Sequence, residues 1–200
     1  MREIVLATSN HGKLGEFRQL FSGLSMQILA QSEFAVPEAD ETGLSFVENA
    51  IIKARNACQF TGLPSIADDS GIEVDALHGM PGIYSSRYAG EYATDADNIQ
   101  ALLKALEGVE AHERTARFQC VLVFMRHAND PTPLICQGTW QGEILETPTG
   151  DSGFGYDPVF WVPETDCSAA QLSAEQKHAI SHRGKAMRQF IEEFQYARHQ

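Results

Sequence analysis

No apolar run in the chain approaches the ~20 residues that a membrane-spanning helix needs; the longest covers only positions 120–125. Cations are also scarce: 15 Lys and Arg stand against 27 Asp and Glu, a formal charge of −12. Phosphate-neutralising contacts dominate the affinity of proteins for DNA and RNA, so such a surface repels a nucleic-acid polymer. A single nucleotide needs only a few local cations and is not excluded. The four cysteines form no C-x-x-C pair, and no His stands at zinc-ligand spacing. They read as reduced thiols, which predicts a cytoplasmic protein. Internal repeats, low-complexity tracts and long linkers are missing too. Met1-Arg2-Glu3, followed by four apolar residues, reads as the start of a strand and not as a signal peptide.

What is present suits one globular domain over residues 1–200, built as two lobes. A hydrophobic fraction of 43% and a charged fraction of 21% are those of a folded chain. Residues 4–7 predict a short buried strand, and Leu14, Phe17, Leu20 and Phe21 recur at helical spacing behind it. A second helix over 45–60 begins at a capping box, Ser45 with Glu48. Positions 65–67 predict a strand cut off by Asp68-Asp69-Ser70-Gly71, with extended structure resuming at 72–74. Thr94 and Asp97 cap a third helix that Gly108 stops. Strands follow over 117–125, 134–145 and 159–162, the second with Gly138 and Gly142 suggesting bulges or bends. A last helix carries Ala186, Met187, Phe190, Ile191 and Phe194 at core spacing. Helices mixed with strands imply an α/β fold with a mixed sheet.

Four segments could carry chemistry. Thr8-Ser9-Asn10-His11-Gly12-Lys13 joins strand to helix, where unpaired N–H groups and the positive dipole end favour phosphate. Lys13 adds a point charge, although the same residues also suit an ordinary capped turn. Asp68 and Asp69, with Glu41 upstream, are neighbouring acids that resist joint ionisation unless a cation lies close. Hard oxygens of this kind suit Mg²⁺, and the bland alternative is a surface turn. Along an extended strand the two aspartates point to opposite sides, so one could hold metal while the other orients water. Glycines around Phe154 could bare its ring as a stacking surface for a base, or Phe154 and Tyr156 could join the core. Lys177 and Ser181-His182-Arg183-Gly184 offer hydrogen-bond donors of the type that reads a 6-oxopurine, or else a solvated basic helix start.

Taken together and in order, these segments resemble the inosine/xanthosine triphosphate pyrophosphatase family. The resemblance runs from T-S-N-H-G-K (8–13) through E-T-G-L-S-F-V-E-N-A (41–50) and A-D-D-S-G-I-E-V-D-A-L (67–77). It continues with G-M-P-G-I-Y-S-S-R-Y-A-G (79–90), F-G-Y-D-P-V-F (154–160) and S-H-R-G-K-A (181–186). It implies an elongated mixed sheet flanked by helices, two lobes with a central nucleotide cleft, and a homodimer. The activity it implies is Mg²⁺-dependent hydrolysis of ITP, dITP and XTP to the monophosphate and pyrophosphate. Thr8, Ser9, Asn10, His11, Gly12 and Lys13 would then hold the triphosphate, and Glu41 and Asp69 the metal. Asp69 would accept the proton of the attacking water, supported by Asp68 and Lys13. Ser70, Phe154, Gly155, Tyr156, Asp157, Lys177, His182 and Arg183 would contact the rest of the nucleotide. Val47 and Met187 depart from the family pattern, away from every implied site residue. Two alternatives stay open: a pyrophosphatase for other modified nucleotides on the same scaffold, and a non-catalytic nucleotide sensor.

Overall fold

A computed structural model describes residues 2–21 and 26–196. Strand β1 (Arg2–Leu6) leads into helix α1 (His11–Phe21) and then β2 (Met26–Ala30). Helix α2 (Phe46–Thr61) precedes β3 (Ser65–Val74), and α3 (Asp95–Ala105) precedes β4 (Thr115–Met125) and β5 (Leu134–Ile144). Two short strands, β6 (Phe160–Val162) and β7 (Cys167–Ser168), come before α4 (Ala174–Ile180) and α5 (His182–Tyr196). The strands form one seven-stranded sheet in the order β2-β1-β3-β4-β5-β6-β7. It is mixed: β1 runs parallel to β2 and β3, while β6 is antiparallel to both β5 and β7. The α/β architecture matches the expectation. Among the described residues no helix is long and apolar enough to cross a membrane.

The chain divides into two compact units. The first comprises Met1–Asp69, Val121–Gln137 and Ala186–Gln200; the second comprises Ser70–Cys120 and Gly138–Lys185. In the first, α2 starts where the Ser45 hydroxyl accepts the Glu48 N–H, as the sequence predicts. Its Ala50, Ala54 and Ala57 are fully buried beside Val5, Ala67 and Val123. Side chains this small bring a helix close to its neighbours, which matters for the lysine described below. In the second unit, α3 begins at Thr94, whose hydroxyl accepts the Asp97 N–H while Asp97 accepts the Thr94 N–H. Its Ile99 and Leu102 share a core with Phe118, Trp140 and Phe160.

Two expectations need correction. The strand at position 65 does not stop at Asp68: β3 continues through Asp68-Asp69-Ser70-Gly71 to Val74. Turn preference loses here because both aspartates are buried and each meets a lysine, so their charge does not force the backbone outward. Gly142 is no bend either, since β5 runs through it. A Cβ there would overlap the Trp161 carbonyl oxygen and stand 2.5 Å from the Phe160 ring, so glycine permits the close approach of β6.

Candidate active site

The T-S-N-H-G-K segment turns from β1 into α1 by local capping. Asn10 Oδ1 accepts the Lys13 N–H at 3.0 Å, and Thr8 Oγ1 accepts the Asn10 N–H at 3.2 Å. Ser9 donates its hydroxyl to the Glu38 carboxylate at 2.9 Å. His11 and Gly12 open the helix; the His11 side chain lies outside the described residues. The segment is therefore a capped turn, and capping leaves the start of α1 at the end of β1, where the dipole argument for an anion still applies.

Lys13 reaches back from α1 to β3, its Nζ 2.9 Å from Asp68 Oδ2. One residue on, Asp69 Oδ1 lies 2.7 Å from Lys53 Nζ, and Glu41 Oε1 lies 3.4 Å from the same nitrogen. Consecutive strand residues face opposite sides, which accounts for the two aspartates having different lysines. Both aspartates are buried, at 1% and 7% exposure. Burial pushes the Lys53 ammonium down, but Asp69, Asp68 and Glu41 together more than offset this and hold it above its ordinary value. Burial raises the Asp69 carboxyl above the usual carboxylate range, despite the opposing pull of Lys53 and Lys13. Asp69 Oδ2 is buried and accepts no hydrogen bond among the described residues.

Lys53 did not stand out in the sequence, although a signal was there. It lies three residues after Ala50 and four before Ala57, so helical periodicity puts it on the inward stripe of α2. A cation on such a stripe needs a partner, and Glu41 and Asp69 provide two. Glu41 and Asp69 are hard oxygen donors that fit Mg²⁺, and the buried Asp69 Oδ2 leaves an atom for it. No group of three or more His, Cys, Asp and Glu is placed to hold an ion among the described residues. Mg²⁺ commonly takes one or two carboxylates and completes its shell with water and substrate phosphates.

The second unit brings together another set. Arg183 Nη2 lies 3.4 Å from Ser70 Oγ, and Lys177 Nζ lies 2.5 Å from Asp157 Oδ2. Both cations stand over the Phe154 ring, Lys177 Nζ at 4.8 Å and the Arg183 guanidinium at 5.6 Å from its centroid. Lys177, His182 and Arg183 are all at least 93% buried, so this is not a solvated helix start. The Ser181 hydroxyl accepts the Gly184 N–H and caps α5, which fixes where His182 and Arg183 leave the backbone.

Two carboxylates hold the glycine-rich loop in shape. Asp157 Oδ2 accepts the Phe154 N–H at 2.9 Å, and Asp95 Oδ2, from the first turn of α3, accepts the Gly155 N–H at 2.6 Å. Gly153 has φ of 81°, and a Cβ there would overlap the Asp157 carboxylate. Tyr156 and His182 are packed instead of presented. The Tyr156 hydroxyl donates to the Ser85 carbonyl at 2.7 Å, and burial, with Tyr88 and Asp95 nearby, holds its pKa far above that of an ordinary phenol. The His182 ring stacks on Phe118 with centroids 4.8 Å apart. Composition did not mark Asp95 or Ser85, because a first-turn acid and a loop serine are ordinary.

The Ham1 family model matches residues 4–193. The chain is 59% identical over 191 residues to a dITP/XTP pyrophosphatase of Vibrio cholerae serotype O1, covering 96% of each chain. It is 61% identical over 194 residues to a dITP/XTP pyrophosphatase of Idiomarina loihiensis, covering 95% of this chain and 96% of the relative. A solved HAM1 protein from Coxiella burnetii superposes with a TM-score of 0.92 at 52% identity, over 98% of this chain and all (100%) of that one. The Staphylococcus aureus Ham1 protein gives 0.86 at 42% identity, over 98% and 100%.

Proposed function

The chain belongs to the Ham1 family, and from that premise we propose that it hydrolyses purine nucleoside triphosphates bearing a 6-oxo base. ITP, dITP and XTP would give the monophosphate and pyrophosphate, clearing aberrant nucleotides from the precursor pool. The relatives named dITP/XTP pyrophosphatase support the substrate class. The observation that carries the chemistry is the pair of lysines, Lys13 and Lys53, seated on consecutive buried aspartates. Charge balance of this kind, in a buried setting, suits a polyphosphate and a water that must lose a proton.

Thr8 to Lys13 would receive the triphosphate at the start of α1, with Lys13 offsetting its charge. Glu41 and Asp69 would hold Mg²⁺, which when bound supplies charge neutralisation to the phosphates. Asp69 would orient the attacking water and take its proton; a carboxyl raised by burial is a better base than an exposed one. Asp68 would keep Lys13 in place, and Lys53 would do the same for Asp69. On the purine side, the Phe154 face, Lys177 and Arg183 would contact the base and sugar-phosphate, with Ser70 beside Arg183. Gly155 and Asp157 would shape that loop, and Tyr156 and His182 would brace it from the core. Donors at this edge favour a 6-oxo group over adenine, whose amino group would leave facing donors unpaired at about 1–3 kcal/mol each. A single pyrophosphatase domain over 1–200, homodimeric assembly and a cytoplasmic setting complete the proposal; the last accords with four free thiols.

Pyrophosphate release from ITP, dITP, XTP, GTP and ATP, each with MgCl₂, tests the reading. The 6-oxo substrates ITP, dITP and XTP should turn over at least about tenfold faster than ATP, the factor that ~1.4 kcal/mol gives. Equal rates for ATP, or no pyrophosphate from ITP, would overturn it.

A further inference from the structure

We propose that Asp95 is a positioning residue for the purine half of the proposed site: through the Gly155 N–H it holds the Phe154 face toward Lys177 and Arg183. The inference rests on the pyrophosphatase reading and adds a residue from α3, an element with no other part in it.

Phe154 carries two cations, and they can serve a base only if the ring keeps its place. Its backbone is held on both sides by carboxylates of different origin. The Phe154 N–H goes to Asp157, a residue of the same loop that is itself tied to Lys177. The next N–H, that of Gly155, goes to Asp95, sixty residues away in sequence, at 2.6 Å. A carboxylate that accepts a backbone N–H so closely makes a charge-assisted bond, stronger than a neutral one. Asp95 is the first residue of α3, the capped helix whose Leu102 is fully buried. Helix α3 is thus a fixed mount for the carboxylate, and rigid mounting is what a site of narrow geometry needs.

The helix itself does not need Asp95 for its cap, because Thr94 and Asp97 make both reciprocal bonds. This separates two roles within one turn: Asp97 caps, and Asp95 reaches out to the loop. It also means that neither the Phe154 nor the Gly155 N–H is spare to bind a base, so the loop contributes its ring face and not those donors.

Steady-state kinetics on Asp95→Ala, Asp95→Asn and Asp97→Ala test the assignment, with melting temperatures and inhibition by inorganic tripolyphosphate, which has no base. Asp95→Ala should raise KM for ITP about five- to tenfold with kcat within about twofold, a change of uniform binding. Its tripolyphosphate inhibition constant should stay at the wild-type value, because the lost contact serves the purine. Asp95→Asn keeps an acceptor oxygen and should recover most of the KM. Asp97→Ala should lower the melting temperature and leave KM alone. An unchanged KM in Asp95→Ala, or a KM rise matched in Asp97→Ala or in the tripolyphosphate constant, would overturn the proposal. Wild-type protein that fails to hydrolyse ITP would instead sink the pyrophosphatase reading on which it stands.

Discussion

Asp69 is the residue on which the proposed chemistry turns, and its surroundings set the terms of a clean test. Asn in its place keeps a carbonyl oxygen for Lys53 but cannot take a proton. Asp69→Asn should lower kcat by about 10²–10⁴-fold, the range a general base contributes, with an unchanged circular dichroism spectrum. Near-normal turnover in that variant would remove Asp69 from the role. Most of the acids and cations were legible in the sequence because each sits in a compact motif. Lys53 was not, for a physical reason: its importance comes from Glu41 and Asp69, which lie twelve and sixteen positions away and meet it only when α2 packs beside β3. Tyr156 and His182 show the converse. Their motifs attract attention, but the fold puts their rings in aromatic and apolar surroundings.

At the scale of elements, strong local signals gave the right answer wherever side chains govern ends. Ser45 starts α2 and Thr94 starts α3, both where capping predicts. Short strands without a distinctive pattern, β2 and β7, were not legible, and neither was α4, a seven-residue helix. Propensity misled only where tertiary partners overrule it, as at Asp68 and Asp69. The connection between β4 and β5 offers a test of another kind. Asp130 is buried there and accepts the Arg126 backbone N–H at 2.9 Å, the Arg126 side chain at 2.8 Å and the Thr132 N–H at 3.1 Å. The Arg126 side chain, with these backbone donors, holds the Asp130 carboxyl far below the usual carboxylate range, against a smaller push from burial. A folded pKa below the unfolded one, about 3.9, contributes stability that is complete above that value and is lost as pH falls. Thermal melts from pH 6 down to pH 2 should show a steeper loss in wild type than in Asp130→Asn, with the two curves converging at the acid end. Parallel curves would mean that this carboxylate does not carry the effect.

For the molecule as a whole, charge is distributed against its average. With 15 cationic residues in a chain of −12, seating Lys177 and Arg183, both buried, and Lys13 and Lys53, both half-buried, next to acids and an aromatic ring is a large commitment of a scarce resource. A net acidic chain that gathers a few cations at local sites suits a small anion over a polymer. The division into two compact units was not legible beyond the expectation of two lobes, because its boundaries fall within β3, β4, β5 and α5 and leave no linker to read. Lys53 bears on how the whole protein should respond to metal depletion. Since its ammonium already faces Glu41 and Asp69, folding should not depend on a divalent ion to quiet those acids. Chelation should therefore abolish pyrophosphate release while moving the melting temperature by no more than about 2–4 °C, the shift that ~1 kcal/mol produces in a chain of this size. A larger drop would mean that the ion is structural. With a resident counterion of this sort, a protein that uses magnesium as proposed would wait intact when starved of it, and work would resume as fast as the ion could diffuse back, with no chain to refold.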